Sequence, residues 1–317
     1  MYGGDPDSAG LNCARGAAAL AIAELIRQEP ARLPRLNEAL ERLAADKTIQ
    51  VRAMAAAALT VALYVDAAVA LSLFKASLAK PPDPLLGSRY VERFLNHAIR
   101  RGHYPKVADV LSVIRSSTSN DVRTAGARQL AVASYRDPGL DPVVDAALGE
   151  DESTRSGVVE VFAENFDSPD RRDRAVEILS RAFDDPSSEV RSAALRCFYG
   201  LKDQTLQDFE PLLTSLAGSR ALHEDPGIVF QNLESARKPL PKSVLDLCTA
   251  FVEAHGAELG DISTSAAADA THVVQLAIRL HAQHADPETR RRCLDLIDQL
   301  VVLGVYGIDK NLALIER

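Results

Sequence analysis

The residues whose types and spacing come closest to a chemical site are the histidines of one C-terminal stretch. In the segment HAQHAD, His281 and His284 lie three residues apart, Asp286 follows, and Cys293 falls on the next predicted helix. Zinc accepts imidazole, carboxylate and thiolate ligands, so these side chains have suitable chemistry. His272, however, is half a turn out of phase with His281, and the ligand set is incomplete. We therefore predict no metal and no cofactor, and interpret the histidines as polar residues ending an exposed helix.

Clustered carboxylates are the second chemical candidate, at positions 150–152 and 184–185. Paired acids can act as general acid and base where burial separates their pKa values. At solvated helix starts they more often stabilise the helix dipole. The sequence also contains no G-x-x-x-x-G-K-[ST] phosphate loop, no G-x-G-x-x-G, no G-x-S-x-G and no H-E-x-x-H. We predict no catalytic residues and a chain that is not an enzyme.

A basic stripe in the segment LLGSRYVERFLNHAIRRG, residues 85–102, is the most informative surface candidate. At helical spacing its charged residues fall near one face: Arg89, Arg93, His97, Arg100 and Arg101. On an acidic protein such a stripe could meet a phosphate backbone or an acidic partner. A solvated outer helix face is the alternative, because charge on a helix exterior is ordinary.

Composition limits the class of partner, the fold class and the cellular compartment that we expect. The 317 residues carry a formal net charge of −8, which disfavours a dedicated nucleic-acid binder because phosphate contacts need clustered Lys and Arg. Ala and Leu supply much of the apolar content and Trp is absent, which favours closely packed helices. The sequence shows neither a signal peptide nor a long apolar run for a bilayer. The four cysteines form no CxxC pair, which is typical of buried thiols in the cytoplasm.

Several segments of the sequence form a repeat when they are aligned on a shared arginine. EVRSAALRCF, QVRAMAAAAL and DVRTAGARQL each show Val-Arg, then small residues, then a larger apolar residue. The aligned arginines, with weaker copies included, are Arg15, Arg52, Arg123, Arg155, Arg191 and Arg290. Their separations are one, two or three times a unit of about 35 residues, which is typical of stacked supersecondary units.

Each unit is predicted to be a pair of helices. Apolar residues recur at helical spacing on both sides of turns such as DKTI and DDPSS. Seven of the 16 prolines follow an aspartate, a pair that favours helix starts because Asp caps free N–H groups and Pro suits the first helical position. A helix pair cannot bury its apolar face alone, so neighbouring pairs stack.

These segments resemble the HEAT repeat, an α-solenoid unit in which a turn aspartate and an arginine of adjacent units form a ladder. The likeness runs from Asp46 through Val51 and Arg52 to Leu59, and from Asp185 through Arg191. By resemblance, the ladder residues are Asp46, Arg52, Asp121, Arg123, Asp185 and Arg191. The fold class expected is all-α, a HEAT-like α-α superhelix of stacked antiparallel helix pairs.

The expected organisation has three parts. Residues 1–10 form a disordered tail, and residues 11–201 form HEAT-like repeats with an irregular insertion at 66–103. Residues 202–317 continue the same solenoid as degenerate helical repeats or a cap. Because LNCARGAAALAIAELI resembles a second helix that lacks its first, we also expect the chain to be a piece of a longer solenoid.

The stretches LLGSRYVERFL and LVVLGVYGIDKNLALIER also resemble the C-terminal helical region of large bacterial STAND-type ATPases, which act in signalling or antiphage defence. That resemblance implies a region that senses a partner, without nucleotide-binding residues of its own. The sequence thus predicts a non-catalytic, cytoplasmic scaffold or sensor with a protein partner. One alternative is a HEAT-like DNA glycosylase of the alkylation-repair type, which the acidic charge and missing Trp disfavour. A HEAT-type lyase or chaperone for a cofactor-bearing protein is another.

Overall fold

The structure is a computed structural model that describes residues 6–79, 83–201, 203–223, 226–306 and 308. Every regular element within these residues is a helix, and most helices pack as adjacent pairs. The prediction of an all-α protein is confirmed, and the packing is consistent with an α-solenoid repeat fold. None of the described helices combines the length and the apolar character needed to cross a membrane. Contacts divide the chain into two compact units, Met1–Val158 and Val159–Arg317.

The first unit consists of two rows of helices. Its helices are α1 (Pro6–Leu11), α2 (Ala14–Gln28), α3 (Leu33–Ala44), α4 (Ile49–Ala62), α5 (Ala67–Ser77), α6 (Asp83–Leu86), α7 (Arg89–Arg100), α8 (Tyr104–Arg115), α9 (Asn120–Arg136), α10 (Asp141–Ala147) and the start of α11 (Glu152–Glu164). In one row α2 packs on α4, α4 on α7 and α7 on α9, while α3, α5 and α8 follow in the other. Phe74 and Phe94, both fully buried, stack between the rows with ring centroids 3.8 Å apart.

The second unit begins within α11. It continues with α12 (Arg172–Ala182), α13 (Ser188–Leu195), α14 (Glu210–Ala217), α15 (Gly227–Ser235), α16 (Ser243–His255), α17 (Ser265–Gln283) and α18 (Pro287–Val302). Helix α14 packs on α12 and α16, and α17 packs on α15, α16 and α18. Short 3-10 helices connect several of them, for example Arg196–Gly200 and Gly256–Gly260. The predicted boundary at 201/202 therefore lies inside this unit, and the continuity of one solenoid across the chain stays a prediction.

The N-terminal residues differ from the disordered tail that the sequence predicted. Residues 1–5 lie outside the described part of the chain, but Pro6–Leu11 forms α1, which packs on α2 and α4. Asp7 and Gly10 are buried there. A Cβ on Gly10 would meet the Gln50 carbonyl oxygen at 2.8 Å, so only glycine permits this close approach. Gly10, in a segment whose composition usually indicates disorder, here allows tight packing.

The segment 66–103, predicted as an irregular insertion, holds α5, α6 and α7 in the stack. Helix α7 packs against both α4 and α9, as a second helix of a repeat does. Arg89, at its first residue, stands 37 residues after Arg52 and 34 before Arg123, and so supplies the unit missing from the arginine alignment. Ser88 replaces the valine that marks the other copies, which is why the sequence pattern failed at this repeat.

Side chains that contact each other between neighbouring repeats are separated in sequence by about one repeat length. Five such pairs, separated by 33 to 36 residues, are Tyr64 with His97, Lys75 with Asp109, Arg115 with Glu150, Glu92 with Arg128, and Glu160 with Arg196. Equivalent positions of successive repeats are therefore neighbours in space. A repeat of mid-thirties length is thus present in the tertiary contacts as well as in the sequence.

Candidate binding surface on the first unit

The basic stripe lies on α7, and two capping groups determine where this helix begins. Ser88 is the N-cap residue, and its hydroxyl accepts a hydrogen bond from the Tyr90 N–H at 3.2 Å. The buried carboxylate of Asp7 accepts from the Ser88 hydroxyl at 2.5 Å and from the Arg89 N–H at 2.9 Å. A carboxylate at a helix N-terminus is favoured by the helix dipole. Helix α1 thereby holds the start of α7 across 81 residues of sequence.

The structure separates the five stripe residues into two groups. The Arg89 guanidinium lies 3.7 Å from the Asp7 carboxylate and over the Tyr90 ring, at the N-terminal end of α7. Arg93 and His97 follow one and two turns later, about 6 and 12 Å from Arg89 along the helix axis, and Arg100 and Arg101 end the helix about 16 Å from it. Arg89 thus belongs to the repeat framework, while the other four residues form a compact basic cluster.

Tyr64, at the turn after α4, is the centre of that cluster. Its hydroxyl lies 2.6 Å from Nδ1 of His97, and the two rings meet edge to face. The Arg101 guanidinium lies over the Tyr64 ring, 4.6 Å from its centroid. Tyr64 nevertheless remains 54% exposed. An exposed aromatic ring between a histidine and an arginine is a preorganised contact surface, because both neighbours restrict its rotation.

A pocket of about 590 Å³ opens beside Tyr64. Its walls come from the ends of α2 and α4, the turns that follow them, and α7. The lining residues are Ile26, Arg27, Pro30, Thr60, Val61, Tyr64, Val65, Arg93 and His97. The floor is apolar and the rim carries two arginines. Ligand sites of this size combine apolar walls with a few polar groups that fix orientation.

A second pocket, of about 570 Å³, adjoins the first. The two share Pro30 and Val65, which form the ridge between them. Its remaining walls are Ala31, Leu33, Pro34, Asn37, Asp66 and Val69. Among the described residues, Asp66 is the one charged side chain that lines this pocket, and its carboxylate caps α5 by accepting from the Val69 N–H at 3.0 Å. The two pockets form a groove that is basic at one end and acidic at the other.

The charge on the basic rim comes from the arginines and not from the histidine. Burial lowers the pKa of His97 below its ordinary value, and the positive charges of Arg93 and Arg100 lower it further. The imidazole is therefore neutral at pH 7 and acts as a hydrogen-bonding group for Tyr64. Arg27 forms an ion pair with Glu24 one turn earlier. Within the described residues, no hydrogen bond or ion pair engages the Arg93 side chain.

The predicted ladder residues lie at the opposite ends of the second helices, where the turns of the repeats fall. Asp46 accepts hydrogen bonds from the Thr48 N–H at 2.9 Å and its hydroxyl at 2.8 Å, and pairs with Arg15 at 2.8 Å. Burial opposes ionisation of this carboxyl, but the Thr48 bonds and Arg15 hold its pKa below the ordinary value. Asp46 thus joins its own turn to the arginine of the preceding repeat.

Arg123 and Asp151 form the corresponding pair further along, with Nε and Oδ2 3.2 Å apart. Burial again opposes ionisation of Asp151, while Thr154 and Arg123 lower its pKa overall. Asp46 and Asp185 occupy a turn position six residues before their arginines. The predicted ladder residue Asp121 is instead exposed in the first turn of α9, two residues before Arg123. Ser117 holds that position, six residues before Arg123. Its hydroxyl accepts from the Ser119 N–H at 3.0 Å.

All three ladder arginines also bind backbone carbonyls. Arg123 donates to the Ser117 carbonyl at 2.8 Å, and Arg191 donates to the carbonyl of Asp185. Arg52 donates to the Ser77 carbonyl at 3.0 Å, at the end of α5. Each arginine therefore provides a hydrogen-bond donor to a carbonyl at a turn or helix end. Such carbonyls have no partner within the helix. These residues serve the framework and not the binding surface.

The candidate metal ligands near the C-terminus have other partners. His284 Nε2 lies 3.0 Å from the Leu240 carbonyl, and His281 Nε2 lies 3.3 Å from Nε of Arg290. Asp286 caps α18 by accepting from the Thr289 N–H at 3.0 Å. Among the residues that the structure describes, no group of three or more His, Cys, Asp or Glu is arranged to hold a metal ion.

The cysteines behave as packing residues in the described structure. Cys197, Cys248 and Cys293 are buried, and Cys13 is partly buried and caps α2 through its sulfur. Burial raises the pKa of the Cys197 and Cys248 thiols far above the ordinary value, so both are protonated near neutral pH. A protonated buried thiol is a poor nucleophile.

The sequence prediction missed the residues that complete the surface. Tyr64, Val65 and Pro30 were assigned no role, although a Tyr-Val pair directly after an alanine-rich helix is an exposed apolar signal. Their significance depends on contacts with α7, 33 residues further along the chain.

Comparisons with known proteins assign this chain to no family. No family model matches it, and no curated protein matches it. Among solved structures, it is similar to the crystal structure of an engineered protein from the Northeast Structural Genomics Consortium. That similarity covers 89% of this chain and 77% of the other, with 18% identity and a TM-score of 0.39. This likeness carries no functional argument, so the description as an all-α repeat protein depends on the helix packing itself.

Proposed function

We propose that the chain is a non-catalytic protein-interaction scaffold, built from HEAT-like repeats, whose first unit binds an acidic segment of a protein partner. The observation that carries the proposal is the exposed Tyr64, held between His97 and Arg101 beside an apolar pocket with an arginine rim. Interface hot spots are enriched in tyrosine and arginine, and stacked repeats provide a rigid support for them.

The finer HEAT likeness is supported by the Arg15–Asp46 and Arg123–Asp151 pairs, which join neighbouring repeats. The resemblance to the helical region of STAND-type ATPases extends the proposal to a partner-sensing role. A reducing, cytoplasmic location agrees with buried thiols at Cys197, Cys248 and Cys293.

Site-specific photo-crosslinking in the source cells tests the proposal. Benzoylphenylalanine at Arg100, which is exposed and lies about one helical turn after the pocket residue His97, should yield crosslinks to protein. The matched control places it at Arg42, on the other row of helices, where the side chain is 78% exposed. The additional change Arg93→Glu should abolish the Arg100 crosslinks, and the crosslinked peptides should be acidic.

Equal crosslinking from positions 100 and 42 would reject the proposed surface. Crosslinks that disappear after nuclease treatment would instead favour a nucleic-acid ligand.

A further inference from the structure

The paired pockets and their unequal charge point to a particular kind of ligand. We propose that the groove formed by the two pockets binds a short peptide segment with two apolar anchor side chains and carboxylates beside one of them. This inference rests on the proposed function and names the chemistry of the segment that the scaffold holds.

The number of anchors follows from the shape of the groove. Pockets of about 590 and 570 Å³ are separated only by the ridge of Pro30 and Val65. Each has an apolar floor, built from Ile26 and Val61 in one and from Leu33 and Val69 in the other. A single compact anchor would fill one pocket and leave the other hydrated. Alternate side chains of an extended segment, or one face of a helix, can fill both.

The position of the carboxylates follows from the charges at the two ends. Arg93 lies at the rim of the first pocket, and its side chain has no ion pair among the described residues. Arg101 lies over Tyr64 close by. At the second pocket Asp66 already caps α5, and a ligand carboxylate there would be repelled. Acidic residues of the ligand should therefore lie beside the anchor that enters the first pocket.

The aromatic group supports the same orientation. Tyr64 is held by His97, a neutral side chain at pH 7, and by Arg101. Its ring lines the first pocket together with Arg93 and lies under the Arg101 guanidinium, so an anchor side chain can pack on it while the adjacent carboxylate reaches a guanidinium. Arginine binds carboxylates through paired N–H donors, which makes this contact directional.

Fluorescence anisotropy with synthetic peptides tests the inference on the intact chain. The probes are fluorescein-labelled 12-residue peptides with two leucines, set two, three or four residues apart, and three glutamates placed either before or after them. One control peptide replaces both leucines with serine, and another replaces the glutamates with lysine. A labelled DNA duplex is titrated in parallel.

We expect at least one leucine spacing to bind, and both control peptides to bind at least about tenfold more weakly, as expected for the loss of one good contact. Arg93→Glu should weaken binding by a similar factor, and Arg93→Gln by less. Arg42→Glu should leave it within about twofold, since this exposed arginine pairs only with Glu38 on its own helix. Thermal melts of the variants verify that each is folded.

Three results would overturn the inference: no binding at any spacing, equal binding of the lysine peptide, or unchanged binding by Arg93→Glu. Tighter binding of the duplex than of any peptide would also overturn it. If the peptides fail while Arg100 still crosslinks to protein in cells, the anchored acidic segment is wrong but the scaffold proposal stands. If both experiments fail, both proposals fall.

Discussion

The carboxylate of Asp46 offers the sharpest test of how neighbouring repeats are joined, because the chain contains a natural comparison. Asp46 and Asp261 both accept hydrogen bonds from the N–H and hydroxyl of the residue two positions later. Asp46 is 9% exposed and pairs with Arg15, whereas Asp261 lies on the surface. The changes Asp46→Ala and Asp261→Ala therefore remove the same turn bonds in different surroundings.

The expected magnitudes follow from those surroundings. Two hydrogen bonds to a charged, mostly buried acceptor contribute about 1–2 kcal/mol, and their donors in Asp46→Ala are left with poor access to water. The Arg15 side chain is 54% exposed, so its ion pair adds at most about 1 kcal/mol. We expect Asp46→Ala to cost about 2–3 kcal/mol. Asp261→Ala should cost about 1 kcal/mol or less, because water replaces the lost acceptor.

Hydrogen exchange followed by mass spectrometry measures both effects locally, which suits a chain with two compact units. Peptides from α4 should exchange faster in Asp46→Ala by about 30-fold or more, since about 1.4 kcal/mol corresponds to tenfold. Peptides from α17 should change by about fivefold or less in Asp261→Ala, on the same conversion. Equal effects of the two substitutions would refute the view that burial and the Arg15 pair make the turn of α4 a joint between repeats.

Two further predictions concern the packing and the electrostatics of the first unit. In urea melts, Gly157→Ala should destabilise the first unit by about 1–3 kcal/mol, because the new Cβ would lie 2.4 Å from the Thr124 carbonyl oxygen. Gly218→Ala is the control: its Cβ would have nothing within 4 Å, so the change should be neutral or slightly stabilising. Arg93→Gln should raise the pKa of His97 in an NMR titration, because it removes a positive charge that disfavours the imidazolium. Since folding lowers that pKa, the unfolded chain takes up the proton first, and the contribution of His97 to stability should fall as the pH drops below about 6.5. An unchanged His97 titration in Arg93→Gln would show that the charge of Arg93 does not contribute to the shift.

Much of the fold was predictable because its determinants are local in sequence. Small residues after each Val-Arg pair, apolar positions at helical spacing and aspartate before proline all act within one helix and its caps. These features predicted the helices, their pairing and the mid-thirties repeat. The prediction failed where local signals diverged, as at Arg89, where Ser88 stands in place of valine, and at Asp121, where Ser117 supplies the turn.

An all-helical repeat was thus readable from the amino-acid sequence, whereas the set of side chains that form the proposed binding surface depends on how the helices pack. Tyr64 meets His97 across 33 residues, and Asp7 caps α7 across 81. No helical period relates such positions, since they become neighbours only when repeats stack and when α1 packs on α4. The stripe on α7 was visible as five basic residues, but the packing of α1 and α4 assigned Arg89 to the framework and placed Arg93 and His97 at the pocket.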